Sequence, residues 1–85
     1  MFYVYVLKNA KNRDLYIGYT EDLKNRLKLH NSGKVKSTKS CIPWELVYYE
    51  AYAVKSDATK REKELKLHAA KELLLKRIKE SLTLS

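Results

Sequence analysis

The run Phe2-Tyr3-Val4-Tyr5-Val6-Leu7 is apolar on both faces of an extended chain. Side chains alternate along a strand, so Phe2, Val4 and Val6 point one way and Tyr3, Tyr5 and Leu7 the other. A strand apolar on both sides belongs in the middle of a sheet that is covered on both faces. The remaining sequence must supply flanking strands and helices for each face. It has to do so within 85 residues, enough for one domain with one modest core. The run is too short to span a membrane and has no basic leader in front of it, so it reads as a strand and not a signal peptide.

The partners follow in order. Asn9 to Asp14 is a polar turn, and Leu15 to Tyr19 is a second strand close enough to form an antiparallel hairpin. Thr20 has N-cap chemistry, with Glu21 and Asp22 in the expected first turn of a helix. Leu23 and Leu27 face that helix inward, and Asn31-Ser32-Gly33 ends it. Residues 34–43 form a basic loop, and Trp44 to Ala53 is the third strand. Ser56-Asp57 is the expected cap of a second helix. Helical periodicity then runs through Leu74 and Ile78, with a break near His68 to Lys71. The expected architecture is α+β: a three-stranded antiparallel sheet flanked by about three helices, in the order β-β-α-β-α-α, as one domain over residues 1–85.

Charge narrows the function. Eighteen Lys and Arg against ten Asp and Glu leave a formal charge of +8, which draws a domain this small to polyanions. The single Cys41 excludes an internal disulfide, and a reducing cytoplasm is the expected compartment. His30, Cys41 and His68 lack zinc-finger spacing.

Two strand triplets and two helical segments carry the sharper signal. Tyr16-Ile17-Gly18 resembles the second half of the GIY-YIG signature, and Tyr3-Val4-Tyr5 its first half, with Tyr3 standing for the first glycine. Arg26 and His30 occupy the following helix, and Ala58-Thr59-Lys60-Arg61-Glu62 resembles the segment that ends in the family's metal-binding acid. The ordered set Tyr5, Tyr16, Gly18, Arg26, His30 and Glu62 is similar to that of the GIY-YIG nuclease superfamily over roughly residues 3–65. Pro43 to Tyr49 and Lys60 to Lys66 resemble its small stand-alone bacterial branch. Two features depart from the pattern: Tyr3 replaces a glycine, and no Asn follows Asn31, where the superfamily tends to carry a late one.

The resemblance implies an endonuclease that hydrolyses DNA phosphodiester bonds with one Mg²⁺ or Mn²⁺ ion, with DNA repair or processing as the setting it suggests. Arg26 and His30, four residues apart, share the border of the Leu23/Leu27 stripe. A phosphodiester needs a fork donor such as Arg, and a neutral His can relay a proton near pH 7; the same pair also fits a solvated basic face. Ala58, Glu62, Leu65 and Ala69 form a helical stripe. An acid on such a stripe is costly unless paired or bound to a metal, and a hard cation accepts one carboxylate plus phosphate oxygens. Pairing of Glu62 with Arg61 or a Lys is the structural alternative, and Glu64 is a competitor off the stripe. The resemblance gives Tyr5, ahead of Tyr16, the task of orienting or deprotonating water, although strand aromatics commonly serve packing. Gly18 leaves room for close approach. Lys34, Lys36 and Lys39 could follow a phosphate backbone or serve solubility. Trp44 could stack a base or close the core. Two other functions fit the chain: a nucleic-acid-binding module that does not cut, and a partner-docking protein.

Overall fold

The computed structural model describes residues 1–83; Leu84 and Ser85, within the expected domain, lie outside the described residues. β1 (Phe2–Asn9) is the middle strand of a three-stranded sheet ordered β2-β1-β3. β2 (Leu15–Thr20) and β3 (Trp44–Tyr52) are both antiparallel to it. Val4, Tyr5, Val6 and Leu7 are all essentially inaccessible, as a strand covered on both faces requires.

The two faces have separate cores. Val4 and Val6 pack with Ile17, Ala58, Leu65, Leu74 and Ile78 beneath α2 (Lys55–Leu65), α3 (His68–Arg77) and the short α4 (Lys79–Thr83). On the opposite face Tyr5, Leu7 and Trp44 pack with Leu23 and Leu27 of α1 (Leu23–Asn31) and with Tyr16 and Leu46. A bulge in β3 lets one strand serve both: Val6 pairs with Tyr48 and Leu7 with Leu46, leaving Val47 as the extra residue. Strict alternation would put Leu46 and Tyr48 on one side. The bulge sends Leu46 to the α1 face and Tyr48 to the α2 face.

The helix caps differ from the sequence expectation. Thr20 ends β2, and Asp22 caps α1, its Oδ1 accepting from Asn25 N at 3.1 Å. Thr20 instead steadies the entry, its Oγ1 accepting from Asp22 N at 3.1 Å. α2 starts two to three residues earlier than Ser56-Asp57 implied, at a Val54 N-cap with no side-chain bond, so Asp57 sits in the first turn. The helical break falls at Lys66–Leu67, just ahead of the expected segment, and a second break at Ile78 separates α4. Because α2 stops there, the stripe does not reach Ala69, which is exposed. Buried Asn9 holds the β1–β2 turn and the approach to β3 together. Its Oδ1 accepts from Lys11 N and Asn12 N, and its amide donates to the Cys41 and Pro43 carbonyls. None of the described helices is long and apolar enough to cross a membrane.

Candidate active site

Three elements converge on the phenol of Tyr5. From β1 its ring leans over β2, where Gly18 is its Cα partner. A Cβ on Gly18 would stand 2.5 Å from Tyr5 Cζ and 3.0 Å from Tyr16 Cε2, so only glycine admits this packing. The sequence motivated Gly18 as a place of close approach, and the group that approaches is the tyrosine ring itself. From α1, Arg26 and His30 reach down together, as their four-residue spacing allows. Tyr5 Oη lies 2.8 Å from His30 Nε2, and Arg26 Nε donates to the same oxygen at 3.4 Å. Tyr16 completes the ring cluster, its centroid 4.9 Å from that of His30 and 6.3 Å from that of Tyr5.

The cluster has an inner and an outer tier. Tyr5 is 1% and His30 0% exposed. Tyr16, Arg26 and Glu62 are half-buried and border solvent. The Tyr5 hydroxyl is engaged by its neighbours His30 and Arg26. Burial pushes its pKa up, and the charges of Tyr16 and Glu62 add to that; the bond from Arg26 pulls it partly back. The phenol is therefore protonated at neutral pH. His30 moves the other way. Burial, and then the Arg26 charge, lower its pKa from 6.5, keeping the imidazole neutral. Arg26 is held charged by its bond to Tyr5, which outweighs its own burial.

Glu62 and Glu64 are told apart by their partners. Glu62, on α2 with 23% of its side chain exposed, forms an ion pair with Lys66 at 3.3 Å. Its charge is felt at Tyr5. Glu64 is bound by Arg61 Nη1, while Arg61 Nε and Nη2 hold Glu50 at 2.8 and 3.1 Å. Burial alone would raise the Glu50 pKa; bonds from Arg61, Tyr48 and Tyr52 overcome it and lower the net value. Arg61 thus braces α2 against β3 and engages Glu64, whereas Glu62 pairs with Lys66. Among the described residues no three His, Cys, Asp or Glu side chains group as metal ligands. One carboxylate with a loose lysine partner fits a hard divalent ion that keeps several waters, so Glu62 suits Mg²⁺ or Mn²⁺ better than zinc.

The basic loop has a definite inside and outside. Lys34, Lys36 and Lys39 are exposed, whereas Val35 and Thr38 are buried. Thr38 Oγ1 lies 2.7 Å from His30 Nδ1. Sequence reasoning missed this residue: no spacing rule links a loop hydroxyl to a helix histidine eight positions earlier. Trp44 is 7% exposed, and its Nε1 donates to the Thr38 carbonyl at 3.2 Å; it closes the core and has no open face for a base. Tyr3, at the departure from the family pattern, packs edge-on against Tyr49 with centroids 5.9 Å apart and lines a groove of about 560 Å³ beside the start of α1.

This sheet, with two strand tyrosines under an Arg–His helix face and an acid on the next helix, defines a GIY-YIG-type domain. A profile described as the GIY-YIG catalytic domain matches residues 1–77, and the chain belongs to the GIY-YIG nuclease family. Within that family it is similar to small proteins named UPF0213. The UPF0213 protein SERP0126 of Staphylococcus epidermidis is 44% identical over 73 residues, spanning 85% of this chain and 88% of that one. The UPF0213 protein SH2523 of Staphylococcus haemolyticus is 43% identical over the same shares. The solution NMR structure of the UPF0213 protein BH0048 from Bacillus halodurans shares 39% identity with a TM-score of 0.55, covering 89% of this chain and 84% of that one.

Proposed function

We propose that this protein is a metal-dependent endonuclease that hydrolyses DNA phosphodiester bonds. The observation that carries the reading is the Tyr5 hydroxyl, held between Arg26 and the neutral ring of His30, with the Glu62 charge near enough to help raise its pKa. A phosphate oxygen binds the outer tier, where the Arg26 fork has donors beyond the Nε–H that it gives to Tyr5. Tyr16 orients the phosphate or the attacking water from the same rim. Tyr5 is protonated, so it acts as a relay: a proton taken up from water at Oη is matched by one passed to His30 Nε2. His30 is suited to this because it is neutral at pH 7. Glu62 would hold a Mg²⁺ or Mn²⁺ ion, which when bound would supply Lewis-acid stabilisation of charge on the phosphate and leaving oxygens. Lys34, Lys36 and Lys39 contact the flanking backbone without reading sequence. A role in DNA repair or processing and a cytoplasmic location accord with this activity.

A second reading has an observation in its favour. Tyr5 is only 1% exposed, which suits a nucleic-acid-binding module that keeps the fold and does not cut. Incubating the purified protein with nicked, branched, duplex and single-stranded substrates separates the two. The nuclease reading predicts cleavage of at least one substrate with Mg²⁺ or Mn²⁺, abolished by a chelator. Salt-sensitive binding with no cleavage under either metal would transfer the assignment to the binding module.

A further inference from the structure

His30 can carry its proton on either ring nitrogen, and only one choice lets it accept from Tyr5. We propose that Thr38 is a positioning residue that fixes the proton on His30 Nδ1 and so keeps the Nε2 lone pair directed at the Tyr5 hydroxyl. Three contacts set the direction of the chain. Thr38 Oγ1 has one proton, and the Val35 carbonyl lies 3.4 Å away as its acceptor. A hydroxyl that donates to Val35 accepts from His30, across the 2.7 Å contact to Nδ1. Nε2 is then unprotonated and accepts from Tyr5 at 2.8 Å, while Tyr5 Oη accepts from Arg26. Each group in the series uses its donors and acceptors consistently, and the opposite direction would leave the Val35 contact without a proton.

Thr38 is built to hold this position. It is 1% exposed, and its N–H donates to Val35 O at 3.0 Å. Its carbonyl accepts from Cys41 N and from Trp44 Nε1, both at 3.2 Å. Trp44 is in turn tied to the helix. Asn31, next to His30, donates to the Trp44 carbonyl at 2.9 Å and accepts from its N–H at 2.6 Å. The end of α1, the lysine loop and the start of β3 therefore form one closed circuit around His30. The second nitrogen of a functional histidine is commonly fixed by such a partner.

The inference rests on the proposed relay only for its kinetic consequence, because the tautomer can be read without substrate. Long-range ¹H–¹⁵N correlation of the histidine rings at neutral pH distinguishes the two forms, and solvent-exposed His68 gives an internal reference spectrum. The parent and Thr38→Ser should show His30 protonated at Nδ1 and bare at Nε2. Thr38→Val, which keeps the shape and removes the hydroxyl, should move the proton to Nε2, wholly or in part. With an active parent, Thr38→Val should slow single-turnover cleavage by about 10-fold or more with unchanged binding, and Thr38→Ser should restore it. A parent spectrum with Nε2 protonated, or a Thr38→Val spectrum identical to the parent's, overturns the proposal. If Thr38→Val does not fold, the parent and Thr38→Ser spectra still decide it. If the parent cuts nothing, the spectra still decide the tautomer, and only the nuclease reading is lost.

Discussion

At the scale of single residues, the site is a set of polar groups whose burial is matched by partners. His30 is the plainest case, fully enclosed, uncharged and bonded at both nitrogens. Its pKa is lowered from 6.5, so unfolding exposes a ring that takes up a proton more readily than the folded one does. His30 therefore contributes stability that is present above the unfolded value of about 6.5. That contribution is lost as pH falls from there through the folded value, at a limiting slope of about 1.4 kcal/mol per pH unit. Glu50, lowered from 4.5, gives a separate loss beginning further into acid. Thermal midpoints measured from neutral to mildly acidic pH should begin to fall near 6.5, and His30→Gln should flatten that first phase. A parent profile that stays level until carboxylates titrate would contradict the buried neutral imidazole. Of these residues, Tyr5, Tyr16, Arg26, His30 and Glu62 could be named because the strand triplets and helix segments that carry them resemble the family pattern. Thr38 and Asn9 could not, since their partners come from loops whose path no periodicity records.

At the scale of elements, strands were easier to read than helix ends. β1 announces its central place by being apolar on both faces, and the polar stretch after it is too short for anything but a hairpin. The caps were misread because Thr20, Ser56 and Asp57 have cap chemistry, while Asp22 and Val54 hold the cap positions. The β3 bulge was hidden because Leu46, Val47 and Tyr48 all suit a strand interior, and only pairing with Val6 and Leu7 shows which is extra. The loop after α1 divides its labour, with Val35 and Thr38 turned inward and its lysines outward. Replacing Lys34, Lys36 and Lys39 together by Ala should therefore leave the fold intact and weaken DNA binding. Each phosphate contact contributes a log–log salt slope of about −0.9 on duplex DNA, so the slope should flatten by up to ~2.7. Equal slopes for parent and triple variant would move the footprint to the Lys60–Lys66 stretch of α2.

At the scale of the whole molecule, the sheet works as a partition. Its α2 face holds an aliphatic core that fixes the fold, and its α1 face places tyrosines beneath Arg26 and His30. Arg61 ties α2 to β3 through Glu50 and engages Glu64, while Glu62 pairs with the exposed Lys66. On the proposed reading, gripping and cutting rest on different groups: a net charge of +8 draws the polyanion in, and Glu62 on α2 would make the chemistry metal-dependent. The most direct measurement is single-turnover cleavage with Mg²⁺ or Mn²⁺, beside metal-free DNA binding, for the parent, Glu62→Gln, Glu64→Gln and Arg26→Ala. Glu62→Gln should lose cleavage by about 10²-fold or more, because charge on the reacting oxygens is no longer offset. It should bind DNA as well as the parent or better, since a negative charge facing phosphate is gone. Arg26→Ala should lose both cleavage and affinity. Glu64→Gln should change little, as an exposed ion pair is worth about 0–1 kcal/mol. A parent that cuts while Glu62→Gln cuts equally well would contradict the account.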